Sequence, residues 1–186
     1  MRNLLLVTDI FGRTPHVSTL ARDLGAAARI CSPYAGAQPT FRDDAEAYAA
    51  FTAQTSIAAY AETVVHELKR NPTALAVGFS VGATALWLAL GQEAAPKRRA
   101  VLYYGSRIRE HKKLRQAAAV QLVFAEAEQS FDPVGLATEL CSQGINAEVL
   151  PGTAHGFMNP LSPGFNAAAY AAQCAKLRQL LGSCPG

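Results

Sequence analysis

Short, nearly unbroken apolar runs alternate along this chain with longer segments in which apolar and polar residues recur at helical spacing. The runs are Leu4–Val7, Ala28–Cys31, Ala74–Phe79, Ala100–Tyr104, Val120–Ala125 and Ala147–Leu150. Runs this short without polar alternation suit strands covered on both faces, so they predict a parallel sheet. Between them the spacing predicts helices over 16–24, 43–69, 82–93, 108–117, 132–143 and 165–181. The second of these opens with Asp43, Asp44 and Glu46, which suit the positive end of a helix dipole. It continues with Tyr48, Phe51, Val64, Val65 and Leu68 at mostly helical spacing. The last ends at Gly182, a residue type favoured at helix C-termini. Such alternation predicts an α/β fold: about six mostly parallel strands, helices on both faces and right-handed crossovers. No repeat or linker interrupts the pattern, which predicts a single domain over residues 1–186.

Composition narrows the classes of function. Hydrophobic residues make up 50% of the 186 positions and charged ones 17%, enough apolar surface for a core and too little charge for a disordered chain. The 17 basic and 14 acidic residues leave a net charge of +3, without a basic block or interleaved aromatics. That argues against nucleic acid as a partner. No apolar run approaches the roughly 18 residues of a membrane span. The segment Met1–Val7 mimics the start of a signal sequence, but Thr8-Asp9 ends it and no small-residue cleavage site follows. A cytoplasmic protein is expected. Cys31, Cys141, Cys174 and Cys184 form no CxxC pair, and His16, His66, His111 and His155 show no ligand spacing with them. Free thiols and no metal are expected.

Ligands of parallel α/β sheets bind beyond the carboxyl ends of the strands, so the segments after each run carry the candidate chemistry. After the third run stands Gly78-Phe79-Ser80-Val81-Gly82, a G-x-S-x-G between a strand and a helix. A nucleophile there must project from a sharp turn. Flanking glycines remove Cβ atoms that would strike neighbouring backbone, and the helix that follows aims its N–H groups at developing negative charge. A chance match in a chain of this content is on the order of one in twenty. A serine nucleophile needs a base, and His155 stands in the glycine-flanked loop after the last run. His66 falls mid-helix, His111 at the start of a basic helix, and His16 beside the first helix. A carboxylate must then orient the imidazole. Glu126 is close enough to its strand to be structural, leaving Glu128, with Asp132 as the alternative. Asp132-Pro133 also reads as a helix start, so Glu128 is the expected acid.

With these positions in hand, the chain resembles the dienelactone hydrolase family of α/β-hydrolases over nearly its full length. The likeness is carried by Asp9-Ile10-Phe11-Gly12, Leu20-Ala21, Ser32-Pro33-Tyr34, Ala76–Gly82, Val101–Gly105, and Leu150-Pro151-Gly152-Thr153-Ala154-His155-Gly156-Phe157. The resemblance implies a reduced three-layer α/β-hydrolase fold that begins at the first parallel strand. It also implies hydrolysis of a small ester or lactone without metal or cofactor. Ser80 falls on the nucleophile, His155 on the base, and Glu128 on the acid, where the family has Asp. The backbone N–H of Val81 and that of Ile10 or Phe11 fall on the oxyanion donors. The chain departs from the family at Ser80, where members named for dienelactone carry Cys, and at Asp9, where they carry Glu. It departs again at Asn159, where an Arg grips the substrate carboxylate.

Expected substrate contacts are Asp9, Tyr34, Tyr104, Arg107 and Phe157, with Met158, Phe79 and Tyr103 also near the pocket. Arg13 and Arg109 are further cations that follow strand ends. Two other readings compete: a flavodoxin-like module binding an anion at Thr8–Thr14, and a catalytically silent hydrolase fold used for interaction.

Overall fold

The computed structural model of the chain describes residues 3–36, 38–72, 75–92 and 98–183. Met1, Arg2, Ala74, Glu93 and Cys184, to which sequence expectations attach, lie outside the described residues. The apolar runs form β1 (Asn3–Val7), β2 (Ala27–Cys31), β3 (Leu75–Phe79), β4 (Arg99–Tyr103), β5 (Ala119–Ala127) and β6 (Asn146–Ala154). They make one sheet in the order β2-β1-β3-β4-β5-β6, with every neighbouring pair parallel. The chain leaves β1 for β2 on one side and later returns to β3 on the other. The ends of β1 and β3 are adjacent, Val7 pairing with Gly78, so their following loops diverge and open a crevice.

Alternation along each strand sorts the core into two layers. Leu5, Val7, Ala76, Leu102, Leu122 and Phe124 face α3 (Ile57–Arg70), α4 (Val81–Gly91) and α5 (Pro133–Ser142). Leu4, Leu6, Val77, Tyr103, Val123 and Ala125 face α1 (Pro15–Asp23) and α6 (Ala167–Gly182). The central helix α4 is apolar nearly all round, and Leu86, Trp87 and Leu90 are fully buried. Among the described residues no helix is long and apolar enough to cross a membrane.

Three expectations need correction. The predicted helix 43–69 is two helices, α2 (Asp44–Gln54) and α3. Thr55, extended, ends the first, and Ser56 caps the second, its hydroxyl accepting the Ala59 N–H at 3.1 Å. The predicted helix 108–117 is a short 3₁₀ turn, Ser106–Glu110, at whose end His111 stands. Beyond it the segment is tied to α4 by two bonds: the Trp87 indole donates to the His111 carbonyl, and the Gln116 side-chain amide donates to the Trp87 carbonyl. Finally, β6 runs four residues past Leu150, through Pro151, to Ala154. An edge strand tolerates a proline, and a register shift between Ala125 and Ala127 lets β5 and β6 continue together.

The two glycines of the β3–α4 turn are needed for close approach. A Cβ on Gly78 would stand 2.8 Å from the Ala83 Cα, and one on Gly82 would collide with the carbonyl oxygens of Thr8 and Val7. The obstacle at Gly82 is backbone of β1, which cannot step aside without disturbing the sheet. Gly82→Ala is therefore expected to lower stability by about 3 kcal/mol, read from urea unfolding. An unchanged midpoint would show that β1 and α4 are less closely apposed than described.

Candidate active site

Ser80 stands at the turn from β3 into α4 with φ 51 and ψ −117, a region that side-chain-bearing residues rarely adopt. Its N–H donates to the Tyr103 carbonyl at 3.0 Å and its carbonyl accepts the Thr84 N–H at 3.1 Å, so β4 and α4 hold the turn from both sides. The hydroxyl lies 2.9 Å from His155 Nε2. His155 follows β6 directly, and its Nδ1 lies 2.9 and 3.2 Å from the two carboxylate oxygens of Glu128. Glu128 follows β5, its side chain 4% exposed against 41% for the histidine. The three side chains thus form one unbroken chain of contacts across the ends of β3, β6 and β5.

Asp132, the alternative acid, is engaged elsewhere. Its Oδ1 accepts the Val134 N–H at 3.0 Å as the N-cap of α5. Glu126 accepts the Gly152 N–H and ties β5 to β6.

The remaining walls come from loops beyond the strand ends and from the start of α2, around a cleft of about 760 Å³. Ser80, Val81, His155, Asp9, Ile10, Phe11, Tyr104, Arg107 and Arg109 all line it. Tyr104 is the second non-glycine residue with positive φ among those described, at 41°. Its ring meets the imidazole edge-on, with centroids 5.1 Å apart. Two backbone outliers at one cleft are the kind of strain that functional sites hold. Arg107 already forms a two-pronged pair with Glu110. Arg109 donates to the Ser106 carbonyl and lies 5.5 Å from the Phe131 ring centre.

Other expected contacts lie elsewhere. Tyr34 is buried beneath the loop after β1, where its hydroxyl donates to the carbonyls of Ile10 and Ala47 at 2.6 and 3.3 Å. Phe157 is buried because Gly156, at φ 83, turns the chain inward, and its ring packs against Tyr103 and Tyr104. Met158, Phe79 and Tyr103 are core residues on the same face of the sheet. Arg13 lines a separate depression with Arg29 and Glu67. Conversely, Asp44, Tyr48, Ser106, Glu110, Ser130 and Ser162 line the cleft and were not expected there, and Asn159, on the family's arginine position, lines it too. The signal for Asp44 and Tyr48 is their four-residue spacing, which puts them on one side of α2.

Asp9 has a distinct environment. One oxygen accepts the Phe11 N–H at 3.0 Å and the other the Asn159 side-chain amide at 2.7 Å. Burial pushes its carboxyl up to about 6, against the pull of those two hydrogen bonds and of nearby His155. Burial also raises Asp44, and pushes the Cys31 thiol up to about 12, which leaves Cys31 unreactive.

The model of the dienelactone hydrolase family matches residues 3–184. This chain belongs to the dienelactone hydrolase family. It is 30% identical over 176 residues to the uncharacterised protein YczH of Bacillus subtilis (strain 168), covering 90% of this chain and 86% of that one. Among solved structures, it is similar to a candidate dienelactone hydrolase from Klebsiella pneumoniae subsp. pneumoniae MGH 78578. The TM-score is 0.75 at 17% identity, over 98% of this chain and 87% of the other. A candidate α/β-superfamily hydrolase from Xanthomonas campestris pv. campestris gives a TM-score of 0.61 at 15% identity, over 97% of both chains. The fold is that of the α/β-hydrolases, and family membership points to a hydrolase rather than a flavodoxin-like module.

The raised Asp9 carboxyl has a consequence for stability. Its ordinary value is 3.8, so between about pH 4 and pH 6 the folded chain holds the proton more tightly than the unfolded chain does. Asp9 therefore opposes folding above pH 6, by about 3 kcal/mol, and ceases to do so below pH 4. Urea unfolding at about pH 4 and about pH 6.5 should show the wild type losing stability relative to Asp9→Asn as pH rises. Parallel pH profiles for the two proteins would contradict this.

Proposed function

We propose that this family member is a serine hydrolase that cleaves a small carboxylic ester or lactone through an acyl-enzyme. The observation that carries the reading is the contact chain Glu128–His155–Ser80 at the base of the cleft, with both linking distances at 2.9 Å. An ionised carboxylate only accepts hydrogen bonds, so Glu128 selects the imidazole tautomer with its proton on Nδ1. Nε2 is then free to take the Ser80 proton as Oγ attacks the ester carbonyl. Glu128 stabilises the imidazolium so formed. The imidazolium returns the proton to the departing alkoxide, and water repeats the sequence to release the acid.

The tetrahedral oxyanion needs donors already in place. Val81 is the first residue of α4, where a helix leaves its N–H without an internal acceptor. Of the two candidates after β1, Phe11 already gives its N–H to Asp9, so Ile10 is the second donor. Because Glu110 holds Arg107, the arginine is not poised for a substrate carboxylate.

On p-nitrophenyl esters of short acids, Ser80→Ala should lower kcat/KM by at least about 10³-fold, and Glu128→Gln by about 10²–10⁴-fold. Retention of most activity in Ser80→Ala would defeat the scheme. Failure of the folded wild type to react with a fluorophosphonate would favour the silent-fold reading. Arg107→Ala should change the preference between an acidic ester and its neutral analogue by less than about threefold; a larger change would assign Arg107 to the substrate.

A further inference from the structure

The loop after β1 is held by hydrogen bonds to two consecutive peptide units. The Asp9–Ile10 peptide has its carbonyl oxygen taken by the Gly12 N–H at 3.1 Å. In a planar trans peptide the C=O and N–H point in opposite directions, so the Ile10 N–H is turned away from Gly12. Ile10 itself lines the cleft. The next peptide, Ile10–Phe11, is pinned at both ends. Tyr34 donates to its carbonyl at 2.6 Å, and its N–H donates to Asp9 Oδ1 at 3.0 Å.

The second oxygen of Asp9 reaches across to Asn159, 150 residues away on the loop that carries His155. Asn159 is itself fixed. Its Oδ1 accepts the Leu161 N–H at 2.9 Å, and its own N–H donates to the Gly156 carbonyl at 2.8 Å. With both ends of the amide in use, Asn159 can present only its nitrogen to Asp9.

We infer that Asp9 and Asn159 form a clamp joining the oxyanion loop to the histidine loop, and that this clamp sets the aim of the Ile10 N–H relative to Ser80. The inference rests on Ser80 being the nucleophile. It makes Asp9 and Asn159 positioning residues: they act through the Ile10 peptide rather than by gripping substrate. A donor that matters only once charge develops on the carbonyl oxygen affects the chemical step and leaves substrate binding unchanged. Loosening the clamp should therefore act on kcat.

Steady-state kinetics on p-nitrophenyl acetate test this with a polarity swap. Asp9→Asn places an amide where only acceptors fit, and Asn159→Asp sets two carboxylates against each other. Each should lower kcat by about 10–100-fold with KM within about threefold of wild type. In the double variant Asp9→Asn/Asn159→Asp the bond is reversed but complete. The amide at position 9 donates to the carboxylate at 159 and still accepts the Phe11 N–H, while that carboxylate still accepts the Leu161 N–H. Recovery of kcat to within about fivefold of wild type is expected, which a merely destabilising effect of the single variants would not produce. Tyr34→Phe releases the same peptide from its other side and should also lower kcat at constant KM; it serves should a single variant fail to fold. Wild-type kcat in the folded single variants and in Tyr34→Phe, or a folded double variant no better than the singles, would overturn the clamp. Ser80→Ala, run in parallel, separates the two failures. Full activity there removes the nucleophile and the clamp with it, whereas an inactive Ser80→Ala beside unimpaired clamp variants removes the clamp alone.

Discussion

A serine held at φ 51, ψ −117 must be forced there by its surroundings, because such backbone costs about 1–3 kcal/mol in a residue with a side chain. Here the surroundings are β1, β4 and α4 at once. Gly78 and Gly82 let α4 start almost in contact with the ends of β3 and β1, and the Ser80 N–H and C=O are bound by Tyr103 and Thr84. The second strained residue, Tyr104, continues the same arrangement one strand further on. Its N–H is held by Val123 of β5, and its ring meets His155. The elbow and the imidazole are therefore positioned by the register of the sheet.

Charge is managed in two different ways around that elbow. Glu128 keeps its carboxylate against an imidazole nitrogen, with its side chain almost out of solvent. Asp9 instead has only neutral donors as direct partners, and burial acts against its ionised form. The two carboxylates thus have different partners, one an imidazole beside Ser80, the other the neutral donors of two loops. The cleft's arginines are occupied as well, Arg107 by Glu110 and Arg109 by backbone and ring.

Much of this was legible in the sequence because sheet interiors leave little freedom. A buried parallel strand must be apolar on both faces, so all six strands could be read from runs of residues, to within a few positions at their ends. The elbow was legible through its glycines, whose need is steric and local. What failed was information held by distant partners. Where a helix was expected over 108–117, the segment is instead tied to α4, the Trp87 indole holding the His111 carbonyl and the Gln116 side chain reaching the Trp87 carbonyl. The break at Ser56 carried a capping signal that the Ala-rich composition of the segment outweighed. Phe157 and Tyr34 belong to blocks that resemble the family, yet both point into protein, because side-chain direction depends on Gly156 in one case and on the Ile10 carbonyl in the other. Asn159 stands where the resembled family carries a substrate-binding arginine, and nothing in the linear sequence links it to Asp9.

His155 sits at the end of β6, which borders β5 alone and closes one side of the sheet. Its residues are mostly partly or fully exposed, whereas β3, which leads to the serine, is buried along its whole length. Outer strands open more readily than central ones. Fraying from that margin would carry the imidazole away while the serine turn stayed intact, so warming should part His155 from Ser80 before the molecule melts.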